Sequence, residues 1–330
     1  MTKILKIFLI FVLSFAALLP LSAQKVRYTI SPINAEGVLR EDNVRAQVEY
    51  LCNPSLGGRA TGSEGGAAAA AWLSSQFQSL GLQPLGGAYM HGFRLSSGMA
   101  RNVMGLIPGS SSRLVIVMAH FDNIGLLNGS FYPGADSNAS GVAALLQLGR
   151  MFKRMQECRK TYGASLLLVA LDAKEKDLSG SAELWRDLSG GKLVNPVSGT
   201  AFSPSDISLV VNLDQLGSTL APLTPDHPEY LMMLSEPSTG RRSTLSQVNG
   251  TQRIGLELAF DYYGSKDFTA LFYRRVCDQR IFLENGIPAV MFTSGITFNN
   301  NKPADTPDSL DYSVLCKRIR LIFYYLDKVL

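Results

Sequence analysis

Four stretches of the chain are dominated by apolar residues over the length of a strand: residues 113–119 (RLVIVMA), 166–171 (LLLVAL), 207–213 (ISLVVNL) and 287–293 (IPAVMFT). Runs of this kind fit strands covered on both faces, as in a parallel sheet. Residues 102–107 alternate as a half-buried strand, and 25–31 read as a further short one. Between the runs the period changes. Apolar positions 142, 145, 146, 148 and 152 follow helical spacing, with Asn138 or Ser140 placed to cap that helix. Residues 66–80 form an Ala-rich helix closed by Gly81 with Leu82 behind it. Helices are also expected around 43–51, from a Ser near 179–181 through Trp185, over 267–274 and over 310–329. Residues 218–280 are otherwise mixed, with a polar loop over 236–250. Strands alternating with helices, without repeats or a dividing linker, predict a single α/β domain with a mostly parallel sheet over 24–330.

The polar residues that interrupt this pattern fall at strand ends. Residues 113–119 run into His120-Phe121-Asp122, 166–171 into Asp172 through Asp177, and 207–213 into Asp214. A turn-rich loop, YPGADSNASG over 132–141, precedes the helix at 142, and the Asn-rich stretch 295–305 follows the last strand. The carboxyl ends of parallel strands are where open α/β sheets bind ligands. A lone His is usually structural, but one at such an end, two residues before an Asp, is a ligand candidate. The glycines at 57, 58 and 62 make no phosphate loop, since no Lys-Ser or Lys-Thr follows them.

Composition narrows the function classes. Residues 1–23 read as a secretory signal, with Lys3 and Lys6 ahead of an apolar stretch and Leu-Ser-Ala at its end. Removing it turns 31 basic against 27 acidic side chains into 29 against 27. That balance, with no basic run, argues against nucleic acid as a partner. No later stretch is long and apolar enough to span a bilayer, so the mature chain is expected to be exported, to a periplasm or beyond. Cys52, Cys158, Cys277 and Cys316 match no zinc-finger spacing, and the alternatives of pairing and buried free thiols stay open.

The stretches AHFD, PGADSNASGVAALL, AKEKDLSGS, VVNLDQLG and GIPAVMF, Asp305-Thr306 and the Gly-Arg-Ala-Thr-Gly-Ser of 58–63 occur in one order over roughly 45–325. In this the chain resembles the exported zinc exopeptidases that include bacterial aminopeptidases, glutamate carboxypeptidases and glutaminyl cyclases. The resemblance implies a three-layer α/β/α sandwich and a peptide or protein N-terminus as partner. It also implies two zinc ions about 3.5–4 Å apart that polarise a scissile carbonyl. Carried onto this chain, the family's metal positions are His120, Glu175 and Asp214, with Asp122 behind the His. The bridging Asp position is Ser137, with Asp136 one residue early. The general-base Glu is Lys174, and the last His is Asn301.

These replacements strike the chemistry. Neutral Ser and Asn oxygens are poor zinc ligands beside carboxylate and imidazole. A lysine among Asp122, Asp136, Glu175 and Asp214 stays protonated and cannot act as a base. Losing two ligands and gaining one Lys roughly restores neutrality without metal, so the Lys174 ammonium is expected to fill an emptied metal site. The expectation is a non-catalytic or very weak peptide-binding homologue, holding no zinc or at most one. The alternative is an active aminopeptidase with one zinc at His120 and Asp214, helped by Asp136 or Glu175; a cyclase-like single-zinc transferase ranks behind both.

Overall fold

In the computed structural model, residues 31–96, 98–237 and 240–330 are described. The expected leader, and all but the last residue of the strand expected at 25–31, lie outside them. The first helix, α1 (Glu41–Leu51), follows a short 3-10 turn, and a second turn over Pro54–Arg59 leads to α2 (Glu64–Ser79). The Ser63 hydroxyl caps α2 by accepting from the Gly66 amide. Its far end has the expected form, with Gly81 at φ 68° and the Leu82 amide donating to the Phe77 carbonyl (3.1 Å).

There follow β1 (Met90–Leu95), β2 (Gly98–Ile107), β3 (Leu114–His120), the hairpin of β4 (Gly125–Leu127) and β5 (Ser130–Tyr132), and α3 (Gly141–Glu157). Next come β6 (Ser165–Leu171), α4 (Ser179–Ser189), β7 (Ile207–Leu213), β8 (Tyr230–Ser235), α5 (Arg241–Thr251) and β9 (Glu257–Ala259). The order ends with α6 (Lys266–Arg274), α7 (Arg280–Glu284), β10 (Ala289–Thr293) and α8 (Tyr312–Val329). Residues 32–330 make one compact unit.

Eight strands form the central sheet, in the order β1-β2-β6-β3-β7-β10-β8-β9. The four apolar runs are its middle, β6-β3-β7-β10, all mutually parallel. Antiparallel pairing sets in at β2 and at β8 on either side. One face packs Met104, Ile116, Met118 and Val169 against Leu184 and Leu188 of α4 and Phe282 of α7. On the other, Leu168 lies under Gly149 of α3, and Phe152 of α3 meets Phe323 of α8. Both faces are thus covered, as a sheet of apolar runs requires, and the three-layer sandwich results.

Two expectations are corrected. Residues 236–250 are not all loop, because α5 takes them up from Arg241 onward. Leu245 and Val248, three apart, are buried, and this narrow stripe suffices to seat an otherwise polar helix. No Ser side chain caps α4: Leu178, itself at φ 57°, precedes it, and the Ser181 hydroxyl donates back to the Leu178 carbonyl (2.9 Å). All four cysteines are free thiols, two of them buried.

Arg59 ties the loops above the sheet together. Fully buried and in a left-handed conformation (φ 57°), it donates to the carbonyls of Phe121 (2.7 Å), Leu51 (2.5 Å), Pro133 (2.7 Å) and Gly134 (3.0 Å). Gly58 beside it has φ 70°, and a Cβ there would lie 2.6 Å from the Tyr132 carbonyl oxygen, so only glycine lets the hairpin approach. Removing the guanidinium leaves buried carbonyls without donors, each at a cost of about 1–3 kcal/mol. Arg59→Met is therefore expected to lower unfolding free energy by at least about 3 kcal/mol in a urea titration.

Candidate functional site

Register places the site. His120 is the last residue of β3 and pairs with Leu171 of β6, so Asp172, Ala173 and Lys174 lie just beyond it. Met118 pairs with Asn212 of β7, which carries Asp214 to the level of His120. Three adjacent parallel strands thus deliver His120, Lys174 and Asp214 to one point at their carboxyl ends. The loop 134–140 and the segment ending at Asp305 complete the rim.

The chain leaves β6 by a strained turn, with Ala173 at φ 60°, a conformation that costs a residue with a Cβ on the order of 1 kcal/mol. Asp122 holds that turn. Its Oδ1 accepts from the Lys174 amide and its Oδ2 from the Glu175 amide, both at 3.0 Å. Burial opposes this charge, but His120 and the two amides outweigh it and keep the Asp122 carboxyl below the usual range. The Ala173 amide donates to Asp172 Oδ1 (2.7 Å), which also accepts from the Thr61 hydroxyl (2.9 Å). Burial and the neighbouring Asp122 push the Asp172 carboxyl up to about 6. Gly180 lies so near the Asp172 carbonyl that a Cβ there would come within 1.9 Å of its oxygen. The turn is fixed from several sides.

This turn aims Lys174 inward. Its Nζ lies 2.9 Å from Asp214 Oδ2 and 3.1 Å from His120 Nε2. Burial favours the neutral amine, yet the Asp214 carboxylate overrides it and holds the Lys174 pKa above its ordinary value. Burial likewise opposes the Asp214 charge, and Lys174 and His120 hold it well below the usual carboxylate range. Burial and the Lys174 ammonium oppose a second proton on His120, and the Asp122 and Asp214 carboxylates favour one; the contact with Lys174 decides between them. At 3.1 Å only one of the two nitrogens can carry the proton between them. Lysine is the stronger base and has the carboxylate beside it, so the ammonium donates to Nε2. The imidazole then keeps its proton on Nδ1, 3.1 Å from the Asp122 carbonyl, and is neutral.

The remaining predicted positions are distributed around this centre. Asp136 is buried and fully engaged: it accepts from the Gly217 amide (2.7 Å), Gln215 Nε2 (2.8 Å) and the Ser140 hydroxyl (3.2 Å). Burial and the Asp305 carboxylate push it up to about 7, against the Gly217 amide. Asp305 accepts from the Asp136 amide (2.7 Å) and the Ser137 amide (3.1 Å), which fixes the loop. Asn138 accepts from the Gly141 amide (3.2 Å), capping α3, and donates to the Leu213 carbonyl (2.8 Å). Ser137, Glu175 and Asn301 line a cleft of about 380 Å³ above Lys174 and Asp214; the Glu175 side chain is exposed.

Three contributors escape sequence reasoning. Thr61 and Asp172 brace the turn, and Asp172 could have been noticed as the first residue after the run 166–171. Asp278 is fully buried, and among the described residues no hydrogen-bond donor reaches either of its carboxylate oxygens; the Ser181 hydroxyl beside it is turned to Leu178. Burial pushes Asp278 up to about 6, against the pull of His120 and Lys174. Nothing local marks it in the sequence.

The residues present do not fit a metal ion. The Nε2 lone pair and the Asp214 oxygen that would bind it accept from one ammonium instead, and the loop offers Ser137 there. Among the described residues, no group of three or more His, Cys, Asp or Glu is arranged to hold one.

The model of Peptidase family M28 matches residues 102–326. The chain belongs to this family. Among curated proteins the chain is similar to YfbL of Escherichia coli, an uncharacterized protein, at 24% identity over 242 residues, 68% of this chain and 69% of its own. Leucine aminopeptidase 1 of Leptosphaeria maculans is 30% identical over 150 residues, 42% of this chain and 38% of that one. The BOS complex subunit ncln of Danio rerio is 31% identical over 113 residues, 34% of this chain. The chain thus spans 38% and 18% of the length of the last two. Among solved structures, the Legionella pneumophila LapA aminopeptidase matches with TM-score 0.69 at 15% identity, over 89% of this chain and 73% of that one. The Porphyromonas gingivalis glutaminyl cyclase matches with TM-score 0.64 at 18% identity, over 89% and 99%. At such identities the likeness shows the M28 fold. Zinc aminopeptidases share it, among them BSAP of Bacillus subtilis at TM-score 0.64, 13% identical over 88% of this chain and 95% of that one.

Removing the ammonium should expose the buried carboxylate it balances. Lys174→Met is expected to cost roughly 3–5 kcal/mol at neutral pH, the usual penalty for stranding one half of a buried pair. The sign with pH follows from both shifts. Asp214 is depressed, so its contribution is complete above its ordinary 3.8 and is lost as pH falls toward the lower folded value. Lys174 is raised, so its contribution is complete below 10.5 and is lost as pH rises past it. Denaturation across pH 2–7 should show a steeper acid decline in the wild type than in Lys174→Met.

Proposed function

We propose that this M28 chain is exported and binds peptides without hydrolysing them. The observation that carries the reading is the Lys174 ammonium seated between His120 Nε2 (3.1 Å) and Asp214 Oδ2 (2.9 Å). Hydrolysis at such a site needs a polarised carbonyl and a base to take the proton of water. Lys174 stands at the base position and, held as an ammonium, has no lone pair to offer. The same ammonium competes for the two ligand atoms a metal needs. Asp136, the carboxylate nearest in sequence to the bridging position, is engaged by three donors that a swing toward the cleft would break.

A binding role is supported by the cleft itself, where Tyr262, Phe272, Met291 and Ile296 offer apolar surface beside polar groups, as small-ligand sites do. The Leptosphaeria relative is named as an aminopeptidase and the Danio relative as a subunit of a complex, so a peptide ligand or protein partner suits both.

Elemental mass spectrometry of the purified mature chain after dialysis against trace zinc tests the reading. Essentially no bound zinc, and no release of leucine from leucine anilide with zinc added, are expected. About one zinc per chain with chelator-sensitive release would instead establish the single-zinc aminopeptidase at His120 and Asp214, with Asp136 or Glu175 assisting. Lys174→Glu together with Ser137→Asp and Asn301→His is expected to bind zinc tightly; a folded triple variant that binds none would show that the ammonium is not what keeps the metal out.

A further inference from the structure

An ammonium carries three N–H donors. Asp214 and His120 accept two from Lys174, and among the described residues no third acceptor reaches its Nζ, which lines the cleft. The floor of the cleft therefore presents one open, cationic donor. Lys174 is the more accessible of the pair, its side chain 17% exposed against 7% for Asp214, and both line the cleft. There is a second open donor. The Arg275 guanidinium lines the same cleft, is exposed, and has no acceptor among the described residues.

Two carboxylates also line the cleft, Glu175 and Asp177, both exposed. Asp177 lies 3.6 Å from Arg280, and Glu175 has no partner among the described residues. Solvent screens Glu175 at the mouth far more than it screens a mostly buried ammonium at the floor. The open N–H donor of Lys174 therefore decides which end of a peptide is taken. A free amino terminus would bring a second ammonium against Lys174. A carboxylate would complete its third hydrogen bond, in the charge-assisted form that is the stronger kind. The side wall is apolar, with Tyr262 and Phe272 stacked at 4.3 Å between centroids and Met291 and Ile296 alongside.

We propose that the cleft takes the carboxylate end of an apolar peptide, with Lys174 at its floor and Arg275 as donors. This rests on the non-hydrolytic reading and turns the expected amino-terminal partner around.

Isothermal titration of the full mature chain with three probes tests it: acetyl-leucyl-leucine, its amide, and leucyl-leucine amide with a free amine. The acid is expected to bind about tenfold more tightly than its amide, the value of one charge-assisted hydrogen bond over a neutral one. The free-amine probe should bind no better than the blocked amide. Lys174→Met should erase the preference for the acid. Should that variant fail to fold, Arg275→Gln, at an exposed position, is expected to weaken the acid about threefold and leave the amide unchanged. Equal binding of acid and amide, or tighter binding of the free-amine probe, overturns the proposal while leaving peptide binding intact. No binding of any probe overturns both. Release of leucine from leucyl-leucine amide overturns the non-hydrolytic reading on which the proposal stands.

Discussion

Two N–H donors of the Lys174 ammonium, one taken by Asp214 and one by His120, govern the chemistry available at the end of this sheet. A buried ammonium is tolerated only where carboxylate and lone pair compensate it. Asp214 supplies the charge, 2.9 Å away, and neutral His120 the second acceptor. Once that arrangement is formed, the imidazole tautomer is fixed, the carboxylate stays ionised and the lysine cannot act as a base. The groups that would hold a metal ion are satisfying one another.

That centre depends on a scaffold of the same kind. Asp122 binds the amides of residues 174 and 175 and so sets the direction in which Lys174 leaves β6. Asp305 binds the amides of residues 136 and 137, and Asp136 in turn accepts from the Gly217 amide and the Gln215 side chain of the loop after β7. Arg59 holds the carbonyls of the segments between. In each case a buried charge is spent on backbone groups that lie outside regular structure and have no other partner, which is the condition for an irregular loop to be buried at all. None of these backbone contacts requires a metal. Asp122 acts only on the main-chain amides of that turn, so it holds its geometry whatever side chain residue 174 carries.

Asp278 fits this picture as an added negative charge behind the ammonium. Among the described residues its oxygens lack donors, and its charge is felt by both Lys174 and His120. It approaches from the segment between α6 and α7, far in sequence from every motif.

The sequence by itself determined the middle of the sheet, because residues 113–119, 166–171, 207–213 and 287–293 are apolar enough to fit only strands covered on both faces. It determined the main helices through their spacing and through Gly81, and it placed His120, Lys174 and Asp214 at strand ends, since a charged residue after a buried run must lie at an edge. Its order of motifs determined the family. It did not reveal β1, β8 or the helix over Arg241–Thr251, whose short or weakly amphipathic segments form only against neighbours already in place. Nor did it show that Asp136 turns away from the cleft, that Thr61 and Asp172 brace the turn, or that Asp278 stands behind it. The tertiary structure decided those, because hydrogen-bond partners 80 or 170 residues apart meet only when strand register and loop packing bring them together, and local pattern carries no record of that distance.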